Sequence, residues 1–182
     1  MPDSIATESP VMIDLLESRQ DPQSVTAEWQ SLQETIDGVR VKEVRNVVKN
    51  NGDVLSEIFR RDWLLDHGVV DQVFQVVMNP GAVSGWHAHR LTTDRLFASH
   101  GLIHIVLYDS RINSPTHGMI NQFRFGAVRP AVVSVPPGIW HAVRNLGSTP
   151  AILLNLPDRG YTYEDPDHWR LPLDTDKIPY RF

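Results

Sequence analysis

From Val39 to Pro157 the chain alternates short β-branched or aromatic runs with turn residues. "VRVKEVRNVV", "VLSEIFRR", "VVDQVFQVVM", "GLIHIVLYD", "MINQFRFG", "AVVSV", "HAVRNLG" and "AILLNLP" are punctuated by Gly, Pro, Asn and Asp. Many short strands at regular spacing predict a sandwich or barrel, because a parallel α/β sheet needs helices in the gaps. Ahead of these runs, Val25, Trp29, Leu32 and Ile36 fall at helical spacing, with Asp21 as a cap, Pro22 at the first helical position and Gly38 as a stop. That spacing predicts one helix. Residues 1–20 read as a loosely docked arm with a short amphipathic turn at "VMIDLLESR". The closing stretch "DRGYTYEDPDHWRLPLDTDKIPYRF" is rich in Pro, Asp and aromatics without a sustained period, and predicts irregular structure wrapped around the barrel. The expected organisation is an N-terminal arm and helix over 1–38, then a single all-β barrel with an irregular tail over 39–182.

Composition narrows the classes. The 182 residues are 41% apolar and 21% charged, enough for one sizeable core. A net charge of -5 and a pI near 5.9 give no electrostatic footprint for nucleic acid. With no cysteine, a disulfide framework and thiolate chemistry are both excluded, and any metal would be held by His and carboxylate. The N-terminus lacks a basic n-region, and no apolar run reaches the roughly 20 residues needed to span a bilayer. A cytoplasmic protein is expected.

The chemistry concentrates in "SGWHAHRLTTDRLFASHG" (84–101) and "PPGIWHAVRN" (136–145). Residues two apart on a strand share a face, so His87 and His89 point together. Three readings are open: metal ligands, a proton-transferring base with its neighbour, or polar residues hydrogen-bonded inside the barrel. The spacing of Gly81, His87, His89, Asp94 and Gly101 resembles the first signature of the cupin superfamily, with Asp in place of the usual Glu. Pro136, Gly138, His141 and Asn145 resemble its second. This resemblance implies a cupin double-stranded jelly-roll barrel. It also implies His87, His89, Asp94 and His141 as a ligand set for one divalent iron, manganese, nickel or zinc ion, a donor chemistry those metals accept.

Four further segments resemble one cupin branch, the dTDP-4-dehydrorhamnose 3,5-epimerases. They are "NGDVLSEIFRR" (51–61), "SGWHAH" (84–89), "YDSRINSPTHG" (108–118) and "VPPGIWHAV" (135–143). The resemblance implies proton abstraction beside the C-4 ketone of a nucleotide-linked 4-keto-6-deoxy sugar, without a metal. His87 matches the catalytic base, and Arg95 falls nearest the lysine that stabilises the enolate. His89 and His141 become substrate or orienting contacts, and Arg60 with Arg61 a contact to the nucleotide diphosphate on a strand often lent by a partner subunit. Three positions depart from the branch, the first being Arg95 in place of its lysine. Leu154 falls where its proton-donating tyrosine stands, leaving Tyr161 or Tyr163 to reach the site, and Ser84 replaces its phosphate-binding arginine. His67, His100, His117 and His168 read as surface residues, and His104 carries no functional assignment. Trp86 and Trp140 read as outward packing residues. The expectation is a sugar-nucleotide epimerase-like isomerase acting as a homodimer. The alternatives are a metal-dependent cupin isomerase or dioxygenase, and a non-catalytic small-molecule-binding barrel.

Overall fold

A computed structural model of the chain describes residues 11–14, 16–63 and 65–182. It divides into two compact units, one ending at Glu34 and one spanning Thr35–Phe182. The part of the arm at 1–10 lies outside the described residues.

The expected helix over 21–38 does not form. Val25 and Ser31 instead make an antiparallel bridge, and Trp29 has φ 61°, outside the right-handed helical region. The cause is local. The hydroxyl of Thr26 accepts the amide N–H groups of both Glu28 and Gln30, each at 3.2 Å, and so competes for donors a helix would use. In the second unit, Ile36 is fully buried, and its N–H is taken by Asn121 Oδ1 at 2.8 Å.

Among the described residues the second unit has twelve strands: β1 (Arg40–Glu43), β2 (Asn46–Val48), β3 (Val54–Ser56), β4 (Phe74–Met78), β5 (Val83–Ala88), β6 (Asp94–His100), β7 (Leu102–Asp109), β8 (Ile120–Gly126), β9 (Ala131–Val135), β10 (Ile139–Asn145), β11 (Ala151–Asn155) and β12 (Trp169–Arg170). Two five-stranded antiparallel sheets, ordered β1-β9-β6-β11-β4 and β12-β5-β10-β7-β8, face each other, and β2 and β3 form a separate hairpin. This is the jelly-roll arrangement of the cupins. Alternate residues of both sheets, among them Leu96, Ile103, Ile105, Leu107, Val133 and Val143, fill the space between them. Among the described residues no helix is long and apolar enough to cross a membrane.

The tail closes both sides of β5. β12 pairs with its free edge, Arg170 opposite His87, and residues 171–182 lay Leu171, Ile178, Tyr180 and Phe182 over the outer face against Trp86, Val106 and Ala142. Gly85 leaves room there for the Leu173 side chain, which a Cβ at this position would displace.

The "SPT" segment has a structural explanation. Asp109 is fully buried and accepts hydrogen bonds from Arg111 Nε (2.9 Å), Ser114 Oγ (2.5 Å) and Thr116 Oγ1 (2.7 Å). Arg111 also donates to the Asp37 carbonyl at 2.8 Å, and Thr116 Oγ1 accepts the Asp37 N–H at 2.9 Å. The motif pins the chain entering β1 to the end of β7.

Candidate active site

A cavity of about 550 Å³ opens at one end of the barrel, walled by β4, β5, β6, β10 and β11 and by the tail loop 157–170. Strand parity decides what faces it. His141 and Val143 of β10, Asp94 and Leu96 of β6, and Leu153 and Asn155 of β11 line the cavity, while their neighbours point away. β5 departs from simple alternation. His87 pairs with His141, but Ser84 pairs with Val143, so the register slips by one residue. This bulge is what lets His87 and Ser84, three apart, both face the cavity.

His87, His89, Asp94 and His141 converge, each offering a ligand atom within 4.8 Å of the others. Asp94 Oδ2 lies 3.1 Å from Nε2 of His89 and 3.1 Å from Nε2 of His141. Its other oxygen accepts Asn155 Nδ2 at 2.8 Å. The far nitrogens of the two histidines are committed to backbone: His141 Nδ1 donates to the Ile139 carbonyl at 3.1 Å, and His89 Nδ1 to that of Asp167. His87 packs its ring 3.9 Å from His141, centroid to centroid.

The electrostatics follow from this crowding. Burial, reinforced by neighbouring His141, holds the His87 imidazole far below its ordinary pKa, so it is unprotonated. Burial pulls His89 the same way, but the Asp94 carboxylate overrides it and raises the group. For Asp94, burial favours the neutral acid, and His141 and His89 outweigh it, holding the carboxyl well below the usual carboxylate range. His87 Nδ1, Asp94 Oδ2 and His141 Nε2 are all buried without an aligned hydrogen-bond partner. With Nδ1 given to a backbone carbonyl, Nε2 of His89 and Nε2 of His141 each face the same carboxylate oxygen. Such a pairing calls for a proton or a cation between them. The residues therefore fit a divalent ion, and the backbone contacts at Nδ1 are the kind that orient metal-bound imidazoles.

Other expected residues lie elsewhere. Arg95 is turned to the opposite face of β6, fully buried, with Nε donating to Asp66 Oδ2 at 2.8 Å, Nη2 paired with Asp66 Oδ1 and Nη1 donating to the Leu156 carbonyl at 2.8 Å. It does not border the cavity. Leu154 is likewise off the cavity wall, which β11 supplies through Leu153 and Asn155. Arg60 is exposed and paired with Asp62 and Glu57. Tyr161 does line the rim. Trp86 points outward, as parity required, and packs against the tail rings of Tyr180 and Phe182.

The tail contributes residues that sequence reading missed. Asp167 accepts the N–H groups of Arg90 (2.7 Å), Leu91 (2.8 Å) and Thr92 (3.0 Å) and the Thr92 hydroxyl (3.0 Å). This clamp lays His168 over His87, with ring centroids 4.9 Å apart and planes at 29°. No local period signals such a contact.

No family model matches the chain. It is 36% identical over 123 residues to the probable low-salt glycan biosynthesis epimerase Agl13 of Haloferax volcanii, covering 66% of this chain and 78% of that protein. It is 31% identical over 148 residues to the spore coat polysaccharide biosynthesis protein SpsL of Bacillus subtilis, covering 81% of this chain and 96% of that protein. The chain belongs to the sugar-epimerase branch of the cupins. Among solved structures, a dTDP sugar isomerase from Desulfovibrio desulfuricans superposes on this branch member with a TM-score of 0.74 at 27% identity, covering 80% of this chain and 90% of that one. The 3'-monoepimerase ChmJ of Streptomyces bikiniensis, solved with dTDP-quinovose, does so with a TM-score of 0.70 at 25% identity, covering 81% and 76%. As a member of this branch the protein is an isomerase of the epimerase kind.

Proposed function

We propose that the protein epimerises a nucleotide-linked 4-keto-6-deoxy sugar, or a closely related carbonyl compound, by proton transfer at the carbon beside the ketone. The observation that carries this reading is the placement of His87. It borders a cavity large enough for a sugar ring, its ring packs between those of His141 and His168, and its Nδ1 is buried with no committed partner. His89 and His141 orient the base and contact substrate, and Tyr161 meets the substrate at the rim. Arg60 does not line this cavity, so in this reading it reaches a nucleotide diphosphate only across a homodimer. The exposed apolar residues Val47, Val48, Val54 and Leu55 of the β2–β3 hairpin suit such a pairing. The absence of cysteine suits a cytoplasmic location.

The test is solvent-deuterium incorporation into a panel of dTDP-linked 4-keto-6-deoxyhexoses, followed by mass spectrometry. Wild-type protein is expected to add one deuterium per epimerised carbon, and His87→Ala to add none. Exchange that persists in His87→Ala would remove His87 as the base. Light scattering is expected to return a dimer mass, and a monomer at all concentrations would refute the pairing.

A second reading rests on the three partnerless buried atoms and the two Nε2 atoms facing Asp94 Oδ2. On it, His87, His89, Asp94 and His141 hold a divalent iron, manganese, nickel or zinc ion. When bound, such an ion supplies Lewis-acid polarisation of a carbonyl oxygen.

A further inference from the structure

Removing a proton beside a ketone leaves negative charge on the carbonyl oxygen, and a donor must stand where that charge develops. Arg95, the residue nearest in sequence to that role, faces away and is held by Asp66 and the Leu156 carbonyl. On the cavity wall, His89 and His141 each commit Nδ1 to a backbone carbonyl and turn Nε2 toward Asp94. His168 is differently placed. It lines the same cavity, stacks on His87, and its Nε2 has no hydrogen-bond partner among the described residues.

The neighbouring residue explains how a group from the tail is held so firmly. Asp167 takes three consecutive amide N–H groups and a hydroxyl from residues 90–92, and its carbonyl receives His89 Nδ1. His168 is thereby fixed between two points of anchorage, Asp167 before it and the β12 pairing of Trp169 and Arg170 after it. The two imidazoles, 4.9 Å apart with planes at 29°, line one cavity side by side.

We infer that His168 is a catalytic residue, the hydrogen-bond donor to the ketone oxygen, working beside His87 as base. The inference rests on the epimerase reading above. In the step, His87 accepts the proton from the carbon next to the carbonyl. The C–H electron pair becomes the enolate double bond, and the carbonyl π pair moves to oxygen, which accepts a hydrogen bond from the His168 imidazole. Solvent then delivers a proton to the opposite face of the carbon, the electron pair on oxygen re-forms the ketone, and His87 returns its proton to solvent. No oxidant or reductant is needed. A neutral imidazole suffices as donor, since it polarises a carbonyl without carrying a full charge.

Three proteins decide the matter in the same deuterium-exchange assay: wild type, His168→Phe, which keeps a flat ring but no donor, and His168→Gln, which keeps a donor. His168→Phe is expected to lose about 100-fold or more in kcat, the usual cost of one such donor. Its KM is expected to stay within about threefold, because the interaction is made in the transition state. His168→Gln is expected to recover most of the loss. Thermal melting is expected to match wild type for both variants. Full activity in His168→Phe overturns the inference, and so does equal loss in Phe and Gln variants, which would make the residue a packing element. Absence of exchange in wild type itself would instead bring down the epimerase reading on which the inference rests.

Discussion

His89 donates its Nδ1 hydrogen to the backbone carbonyl of Asp167, a residue 78 positions further along the chain. One end of the HxH pair is thus held by the tail, and the same Asp167 caps the loop that follows it through its carboxylate. Asp167→Ala is expected to free residues 157–170, lowering kcat by about tenfold or more through misplacement of the wall, since small displacements at a reacting centre have large kinetic costs. Hydrogen exchange would report it as faster amide exchange at 90–92 with the barrel strands unchanged. Unaltered exchange at 90–92 would mean the clamp carries no load.

Asp94 divides the metal-free and metal-bound readings. Elemental analysis of protein purified without a metal-binding tag is expected, on the metal reading, to find near-stoichiometric iron, manganese, nickel or zinc in wild type and none in Asp94→Ala. Full occupancy in Asp94→Ala would show that the ligand set lies elsewhere.

Arg95 is predicted to matter for folding and not for catalysis. Arg95→Met strips the cation from Asp66, a carboxylate on which Ser134 Oγ also donates at 2.7 Å, and breaking a buried pair on one side costs about 3–5 kcal/mol. Urea denaturation is expected to show that loss while kcat of the folded fraction stays at the wild-type value. A stable protein with a collapsed kcat would restore Arg95 to the reaction.

Asp109 makes stability acid-sensitive. Burial favours its protonated form, but Arg111, Ser114 and Thr116 hold the carboxyl well below the usual range. A carboxyl depressed in the folded state adds stability that is fully present above the unfolded value, about pH 4, and fades as pH falls below it. Asp109→Asn is expected to lower stability at pH 7 by about 2–3 kcal/mol, with Arg111 left partly exposed. The gap to wild type should narrow as pH approaches 2. A gap that stays constant with pH would show that the cage acts by shape alone.

The sequence made the barrel readable because β-branched alternation has a period of two, and the cavity histidines inherit that period. His87, His89, Asp94 and His141 lie together, as the cupin resemblance implied. The same parity explains where reading faltered. Arg95 and Leu154 were each one position off the cavity face, and on a strand one position is a reversal of side. The helix over 21–38 was a matter of spacing alone, and spacing carries no information about a threonine hydroxyl that diverts two amides. His168, read as a surface residue, lines the cavity instead, and was misplaced for another reason. Its position depends on hydrogen bonds between residues 167 and 90–92, and nothing periodic in "EDPDHW" encodes a partner so distant. The "SPT" segment, the most family-specific string in the chain, turned out to brace a strand end and does not line the cavity.

The two-sided embrace of β5 by residues 165–182 has a consequence for biosynthesis. A ribosome emits His87, His89, Asp94 and His141 well before the segment that roofs them, so the nascent barrel passes through a stage with an open, polar mouth and an uncovered Trp86. Site completion therefore waits for residues 157–182, and a message truncated after Asn155 would yield a barrel whose cavity lacks its tail wall.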